Sequence, residues 1–275
     1  MATGVGLVAA GTYVYATHVE PEMVRVRRHT LPVENVEERV RIVHLSDIQT
    51  IDVGQRERRI FERIRRIDPD LVVHTGDVLA HPTRRELREV ADMFATLDPP
   101  GGVLNVDGDA DRALTDAEWE WFDRRAGTET LLDRRRTVRV GGTRIDVLGL
   151  SGLGSRTVER PAVDEWLESV DPADRHVHLV IGHAPDYMLE LRGADIDLAL
   201  AGHTHGGQIR IPFYGPPVTL SEVPRSWARG VTRVDGTYLN VSAGIGAERA
   251  QGLPPIRINC PPEFSVIDLV PAEGG

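Results

Sequence analysis

"DLALAGHTHGGQIRI", residues 197–211, is an apolar run followed by two histidines that are separated by one residue. The small and branched apolar side chains before the histidines are typical of a buried strand, and the glycine pair after them indicates a long turn. On an extended segment, the imidazoles of His203 and His205 would point to opposite sides of the chain. We therefore predict that the two histidines contact different partners at the end of one strand.

Four further predicted strands also end in a side chain with an oxygen or nitrogen donor. They are "RIVHLS" before Asp47 and Gln49, "LVVHTG" before Asp77, "GVLNVDG" ending at Asp109, and "HLVIG" before His183. Strands that alternate with helices form parallel sheets, which bind ligands at the carboxyl ends of their strands. Each side chain alone has an ordinary structural explanation, since aspartate after glycine is common in turns. Five such strand ends at one edge of a sheet indicate a functional site.

The donor types in this set predict a metal centre. Carboxylate, amide and imidazole donors suit Mn²⁺, Fe or Zn²⁺, and a chain whose only cysteine is Cys260 has no thiolate cage. Two ions about 3.5–4 Å apart would share one carboxylate and need further donors each. We expect the first ion to be held by Asp47, Gln49, Asp77 and His205. We expect the second ion to be held by Asp77, Asp109, His183 and His203.

Composition and patterning place the chain among globular α/β proteins. Its 275 residues carry a formal net charge of -10, and only 5% are aromatic. A protein that coats nucleic acid usually has a basic face, so these values argue against that class. "GQRERRIFERIRRI" and "TDAEWEWFDRRAG" follow predicted strands and have helical periodicity. The strand-rich C-terminal part, "TRVDGTYLNVSAG" and "PEFSVIDLV", suggests a second sheet packed on the first.

The N-terminus is treated as a separate segment, residues 1–18, before a single domain at 19–275. Its apolar run "GVGLVAAGTYVYA", residues 4–16, has no charge. Spanning a bilayer takes roughly 20 residues, and the basic n-region of a signal peptide is missing. We interpret the run as a membrane-anchor remnant or a surface-docked helix. The expected location is therefore membrane-associated, with a cytoplasmic protein as the alternative.

Five short blocks resemble the calcineurin-like metallophosphoesterases: "HLSDIQ", "HTGDV", "VDGDAD", "IGHAPD" and "AGHTHGGQIRIP". The C-terminal stretch "YLNVSAGIGAERAQGLPPIRINCPPEFSVIDLV" and the lead-in "VEPEMVRVRRHTLPV" resemble the YkuE-like branch of that superfamily. The likeness covers residues 19 to 270. It implies a four-layer α/β/β/α sandwich of two mixed sheets flanked by helices. It also implies a dinuclear centre whose metal-activated hydroxide attacks phosphorus, with Asp77, His183 and His203 as catalytic residues.

Three positions depart from the family's pattern. The resemblance implies histidine where Gln49 stands, asparagine where Asp109 stands, and histidine where Ala110 stands. Gln49 offers only an amide oxygen, so the first ion would bind loosely, whereas Asp109 adds a charge to the second site. Ala110 cannot donate a proton, and His81 is the candidate substitute acid. In "VDGDADRA", Asp111 is expected to be structural and Asp107 to be solvated or in a turn.

The resulting prediction is a metal-dependent phosphoesterase that acts on phosphodiester or pyrophosphate bonds. Its expected cofactors are two divalent ions, Mn, Fe or Zn. A lipid-linked or nucleotide-sugar diphosphate substrate, and contact with a membrane surface, fit the apolar N-terminal run. Two alternatives stay open because of Gln49 and Ala110. One is a binding or scaffold protein on a degenerate phosphoesterase fold, and the other is a mononuclear enzyme.

Overall fold

The structure is a computed structural model that describes residues 9–50, 52–80, 83–169, 175–248 and 254–272. The strands are β1 (Arg25–Val33), β2 (Val40–Leu45), β3 (Leu71–Thr75), β4 (Val103–Val106), β5 (Thr128–Thr130), β6 (Arg134–Val140), β7 (Thr143–Gly149), β8 (His176–Ile181), β9 (Leu198–Ala201), β10 (Gly230–Val234), β11 (Thr237–Val241) and β12 (Glu263–Pro271). The helices that cover the sheets are α1 (Gln55–Ile67), α2 (Arg84–Phe94), α3 (Asp116–Ala126), α4 (Gly154–Thr157), α5 (Arg160–Glu168) and α6 (Tyr187–Glu190).

The strands form two mixed sheets of six strands each. The first sheet has the order β1-β12-β2-β3-β4-β5, and the second has the order β10-β11-β9-β8-β7-β6. In the first sheet only the β12–β2 pair is antiparallel. In the second sheet the outer pairs β10–β11 and β6–β7 are antiparallel, and the inner strands are parallel. The four innermost parallel strands β2, β3, β8 and β9 consist largely of buried apolar residues, as the sequence predicted.

Three apolar clusters show that the fold has four layers. One cluster joins α1, α2 and α3 to the outer face of the first sheet and includes Phe61, Phe94 and Phe122. A second lies between the sheets and includes Ile42 and Val147. The third joins α5 and α6 to the second sheet. The predicted α/β/β/α sandwich is therefore confirmed.

The C-terminal strands are divided between the two sheets. The β10–β11 hairpin, with its Asp235-Gly236 turn, extends the second sheet. In contrast, β12 lies in the first sheet between β1 and β2. The expectation that the C-terminal part forms the second sheet is therefore only half right. The pattern of strands in the sequence does not show which sheet each strand joins. The position of β12 between β1 and β2 agrees with its burial on both faces.

The described part of the N-terminal segment is helical over residues 9–22 and docks on the C-terminal stretch. Arg257 donates its backbone N–H to the carbonyl of Ala16 at 2.9 Å. The buried carboxylate of Glu20 accepts hydrogen bonds from the backbone N–H groups of Asn259 and Cys260. Residues 1–8 of the predicted anchor lie outside the described residues, and the boundary at residue 18 stays a prediction. Among the helices of the described ranges, none is long and apolar enough to cross a membrane.

Phe94 provides a test of the outer core. It is fully buried and makes edge-to-face contacts with Phe61 and Phe122, with ring centroids 5.1 and 5.8 Å apart. We expect Phe94→Ala to lower the free energy of unfolding by about 3–5 kcal/mol in EDTA, because it leaves a cavity between α1, α2 and α3. Urea unfolding measures the loss. Phe213→Ala is the matched control: Phe213 is fully exposed, so its loss should change stability by less than about 0.5 kcal/mol.

Candidate metal centre

The predicted donors meet where the carboxyl ends of strands from both sheets come together. Loops after β2, β3 and β4 carry Asp47, Gln49, Asp77 and Asp109, and loops after β8 and β9 carry His183, His203 and His205. The expectation of one sheet edge is therefore corrected. The first sheet supplies the carboxylates and the second sheet supplies the imidazoles. The sequence could not show this division, because each strand is followed by the same kind of loop.

The donors form two adjacent clusters. Asp47, Asp77 and His205 make up the first, and Asp109, His183 and His203 make up the second, each with one ligand atom per residue within 4.8 Å of the others. In the first cluster, His205 Nε2 lies 3.4 Å from Asp47 Oδ1. In the second cluster, His203 Nδ1 lies 3.1 Å from Asp109 Oδ2. Asp77 connects them, since its Oδ2 lies 3.6 Å from His183 Nε2.

The backbone at this centre adopts an unusual conformation. Positive φ values occur at Asp47 (49°), Gln49 (39°), Asp77 (58°), His203 (65°) and His205 (48°). Left-handed conformations are uncommon for residues other than glycine and concentrate at functional sites. The His203-Thr204-His205 segment is therefore not extended, which corrects the reason given for separating its imidazoles. The two rings do lie in different clusters, because the chain turns at both histidines.

Two glycines allow the carboxylates to sit against the neighbouring backbone. A Cβ on Gly108 would lie 2.2 Å from Asp77 Oδ1, and one on Gly202 would lie 2.4 Å from Asp47 Oδ2. These distances are far below van der Waals contact. Ala110 contributes through its backbone, whose N–H donates to Asp77 Oδ1 at 2.8 Å. The "GDAD" block thus orients Asp77 although its third residue has no functional side chain.

His183 shows that the donors fit a divalent cation. Its Nδ1–H donates to the carbonyl of Thr75 at 2.8 Å, so in the neutral imidazole the lone pair lies on Nε2. Nε2 is buried and has no hydrogen-bond partner in the ranges that the structure describes. Burial lowers the pKa of His183, but the charges of Asp77 and Asp47 outweigh it and raise the pKa above its ordinary value. The carboxylates of Asp47 and Asp77 therefore favour a positive charge at Nε2, either a proton or a bound cation.

His203 supports the same conclusion in the second cluster. Its Nδ1 lies 3.1 Å from Asp109 Oδ2, and its Nε2 lies 2.9 Å from the carbonyl oxygen of Leu220 and 3.0 Å from a terminal nitrogen of Arg156. Asp109, His183 and His203 each present one ligand atom within 4.8 Å of the others. The residues of this cluster thus fit a bound metal ion.

The carboxylates of the two clusters are held in different electrostatic environments. Burial, with the neighbouring charge of Asp77, raises the pKa of Asp47. Burial also acts to raise the pKa of Asp109, but His203, His183 and Arg156 hold it well below its usual range. Asp109 accepts a hydrogen bond from Arg156 at 2.8 Å and forms an ion pair with Arg112 at 2.8 Å.

Gln49 does not present its amide oxygen to the first cluster. Its Nε2 donates to Asp77 Oδ2 at 2.8 Å and to Glu248 Oε2 at 2.9 Å. Its Oε1 is buried without a hydrogen-bond partner among the described residues. In this orientation Gln49 is a donor to two carboxylates, which differs from its predicted role as an oxygen ligand.

The remaining sequence predictions concern neighbouring residues. Asp111 is structural as expected, because it is fully buried and accepts hydrogen bonds from the N–H groups of Val78 and Gly108. Asp107 is partly exposed and also accepts a hydrogen bond from the N–H of Gly152 at 2.6 Å, a distant contact that the sequence did not indicate. His81, the candidate acid, lies outside the described residues.

Arg257 is a site residue that the sequence reading missed. It is fully buried, and its guanidinium donates to the carbonyls of Ala243, Gly246 and Cys260. One of its terminal nitrogens lies 3.5 Å from His205 Nδ1. Burial and the charge of Arg257 lower the pKa of His205, which keeps the imidazole neutral. The available signal was "PPIRINCPPEF", which carried the family resemblance without an assigned role.

The geometry defines a class of protein, a phosphoesterase-like sandwich with a carboxylate–imidazole metal centre. The family model for calcineurin-like phosphoesterases matches residues 40–207, more than half of the chain. The chain therefore belongs to the calcineurin-like phosphoesterase family.

Relatives agree along most of the chain. It is 28% identical to the metallophosphoesterase YkuE of Bacillus subtilis over 96% of this chain and 91% of that protein. It is 24% identical to the phosphodiesterase YaeI of Escherichia coli over 74% of this chain and 71% of that protein. Among solved structures, the NAD nucleotidase NadN of Haemophilus influenzae superimposes with a TM-score of 0.53 at 12% identity, over 76% of this chain and 46% of that chain. The first comparison confirms the YkuE-like branch, and the last shows a shared fold.

Metal binding should appear as a change in thermal stability. At an Mn²⁺ concentration 100 times its Kd, each occupied site should add about 2.7 kcal/mol, which raises Tm by roughly 5 °C or more. Asp77→Asn should largely lose this increase. In EDTA the variant should melt at or above the wild-type temperature, because one buried negative charge is gone. Differential scanning calorimetry with and without Mn²⁺ measures both effects. An unchanged Mn²⁺ response in Asp77→Asn would refute the role of Asp77 in metal binding.

Proposed function

We propose that this metal-dependent phosphoesterase hydrolyses phosphodiester or pyrophosphate bonds and uses two divalent ions, Mn, Fe or Zn. One observation carries the proposal: two adjacent clusters each bring carboxylate and imidazole ligand atoms within 4.8 Å of one another, and Asp77 Oδ2 of the first cluster lies 3.6 Å from His183 Nε2 of the second. A binding or scaffold protein has no physical need to gather six such donors at one position. A mononuclear enzyme would need only one of the clusters.

Some residues of the centre would bind the ions, and others would hold those ligands in position. When bound, the ions lower the pKa of water and neutralise the developing charge on phosphate oxygens. Asp77 is fixed by three contacts, from Gln49, from the backbone of Ala110 and from its packing on Gly108. His183 is fixed by Thr75, and His205 by the buried guanidinium of Arg257. The substrate phosphorus would lie over the open side of the two clusters, next to Asp109.

Arg156 is the group best placed to contact a substrate phosphate. Its guanidinium is partly exposed and lies 2.8 Å from Asp109 Oδ2 and 3.0 Å from His203 Nε2. If Asp109 holds an ion, its carboxylate would attract the Arg156 guanidinium less, and the guanidinium would be able to pair with phosphate oxygens. Guanidinium groups match phosphate geometry and stay charged at all physiological pH values. We assign Arg156 the binding of a nonbridging phosphate oxygen.

The surface beside the centre favours a substrate with an apolar group. Leu220, whose carbonyl faces His203, is 68% exposed, and it follows an exposed loop that includes Phe213, Tyr214 and Val218. Arg225 stacks on Tyr214 in this loop, with 4.7 Å between the guanidinium carbon and the ring centroid. A polar phosphate site bordered by apolar side chains fits a lipid-linked phosphoester better than a free nucleotide-sugar diphosphate. We therefore propose a lipid-linked substrate at a membrane surface.

The first test is hydrolysis together with metal content. We expect two metal equivalents per chain after loading with Mn²⁺, measured by inductively coupled plasma mass spectrometry. We also expect turnover of bis-p-nitrophenyl phosphate that EDTA abolishes and Mn²⁺ restores. Asp77→Asn is the inactive control. One equivalent with turnover would favour a mononuclear enzyme. No turnover in excess Mn²⁺ would favour a binding protein on a phosphoesterase fold.

Arg156→Gln tests the assigned phosphate contact. A hydrogen bond to a charged group contributes about 1.5–3 kcal/mol, so the inhibition constant of inorganic phosphate should rise roughly 10-fold or more. Mn²⁺ affinity, measured by calorimetry, should not fall, because a competing cation has been removed from Asp109. Arg124→Gln, on an exposed face of α3, is the matched control. If Arg156 only supports Asp109, Mn²⁺ affinity will fall and phosphate inhibition will stay unchanged.

A further inference from the structure

Glu248 reaches the first cluster from a direction that the sequence motifs do not indicate. It lies in the loop that follows β11, after the turn at Gly244 and Gly246. Its Oε2 is 2.9 Å from Gln49 Nε2 and 4.0 Å from His205 Nε2. Its side chain is 54% exposed, so it approaches the cluster from the solvent side. A carboxylate thus stands next to the position where Gln49 replaces an expected histidine.

The orientation of Gln49 explains how this carboxylate is held. One amide nitrogen donates to both Asp77 Oδ2 and Glu248 Oε2, so the two hydrogens of the NH₂ group serve two carboxylates. The opposite orientation would direct the amide oxygen at both carboxylates, which is repulsive. Gln49 Oε1 is buried and makes no hydrogen bond within the described residues. The amide nitrogen of Gln49 therefore contacts both carboxylates, whereas its amide oxygen has no such contact.

We propose that Glu248 is a ligand of the ion held by Asp47, Asp77 and His205, and that Gln49 orients Glu248 and Asp77 without binding the ion itself. The inference rests on the proposed metal-dependent function. The family's histidine would then be replaced by two residues. One is a carboxylate that binds, and the other is an amide that positions it.

The distances agree with a shared ion. Ligand atoms bound about 2.0–2.2 Å from one ion lie roughly 3–4.4 Å apart, depending on the angle between them. The separation of 4.0 Å between Glu248 Oε2 and His205 Nε2 falls in this range, as does that of 3.4 Å between Asp47 Oδ1 and His205 Nε2. No large movement of Glu248 is required. Its exposed side chain also has the freedom to make a small adjustment.

The exchange of ligands should change the metal preference. With Glu248, the first ion has three carboxylates and one imidazole, whereas a histidine at position 49 would give two of each. Carboxylate-rich sites suit Mn²⁺, and imidazole suits Zn²⁺. The first site should therefore select Mn²⁺ over Zn²⁺ more strongly than a site with histidine at position 49.

Calorimetric Mn²⁺ titration of the metal-free full chain tests the proposal without measuring catalysis. Glu248→Gln should weaken one of the two Mn²⁺ equivalents by about 10-fold or more and leave the other unchanged. Adding Gln49→His to this variant should restore the affinity and shift the preference towards Zn²⁺. Glu62→Gln, which removes a similarly exposed charge from α1, is the matched control. Circular dichroism checks that each variant is folded.

The outcomes separate this proposal from the proposed function. If the wild type binds two Mn²⁺ ions and Glu248→Gln binds both with unchanged affinity, Glu248 is only a hydrogen-bond partner of Gln49 and the inference is wrong. If Gln49→Ala weakens Mn²⁺ binding as much in the Glu248→Gln background as in the wild type, Gln49 acts independently and its positioning role is wrong. If the wild type binds no Mn²⁺ or Zn²⁺ at all, the metal-dependent function itself fails and this inference fails with it.

Discussion

The need for positive charge among buried carboxylates governs the arrangement of this protein. Asp47 and Asp77 lie almost without solvent contact at the junction of the two sheets, and they face imidazoles rather than lysine or arginine. Burying an uncompensated charge costs several kcal/mol, so such a pair is stable only with a cation or with bound protons. The raised pKa values of Asp47 and His183 express this requirement, because protonation is the response available to the metal-free protein. Metal binding would replace those protons with a stronger source of charge.

The C-terminal stretch and the N-terminal segment stabilise the turn that carries His203 and His205. Arg257 binds three carbonyl groups and contacts His205, and Cys260 packs against Gly206 with its sulfur 3.6 Å from the carbonyl oxygen. Glu20 in turn accepts hydrogen bonds from the backbone N–H groups of Asn259 and Cys260. The left-handed conformations at His203 and His205 are costly alone, and they persist because the packed segments around them leave no alternative. The ends of the chain therefore contribute to the site although they carry no proposed ligand.

The sequence predicted the strands that precede the donors, the helices α1 and α3, and the donors at five strand ends, because buried strands and strand-end polar residues are local patterns. The helix α3 follows its capping box at Thr115 and Glu118, and the hairpins follow their glycine turns. Other features depend on distant contacts. The division of the donors between two sheets and the placement of β12 depend on packing that periodicity does not encode. The donor orientation of Gln49 depends on Glu248, which lies 199 residues away in the sequence, so no local motif could indicate it.

The departures from the family pattern at Gln49 and Asp109 change the charge balance of the centre. Asp109 adds a negative charge where the family has a neutral amide, and Arg112 and Arg156 compensate for it at 2.8 Å. The Glu248 carboxylate lies 2.9 Å from Gln49 Nε2, close to the first cluster. The centre therefore has more carboxylates and fewer imidazoles than its relatives' pattern implies, and its extra positive charge comes from guanidinium groups. Guanidinium groups bind phosphate but do not release protons at physiological pH. With Ala110 in place of a proton donor, the side chains of this centre can contribute more by neutralising charge than by transferring a proton. Under the proposed function, this change favours substrates whose leaving group departs as a stable anion.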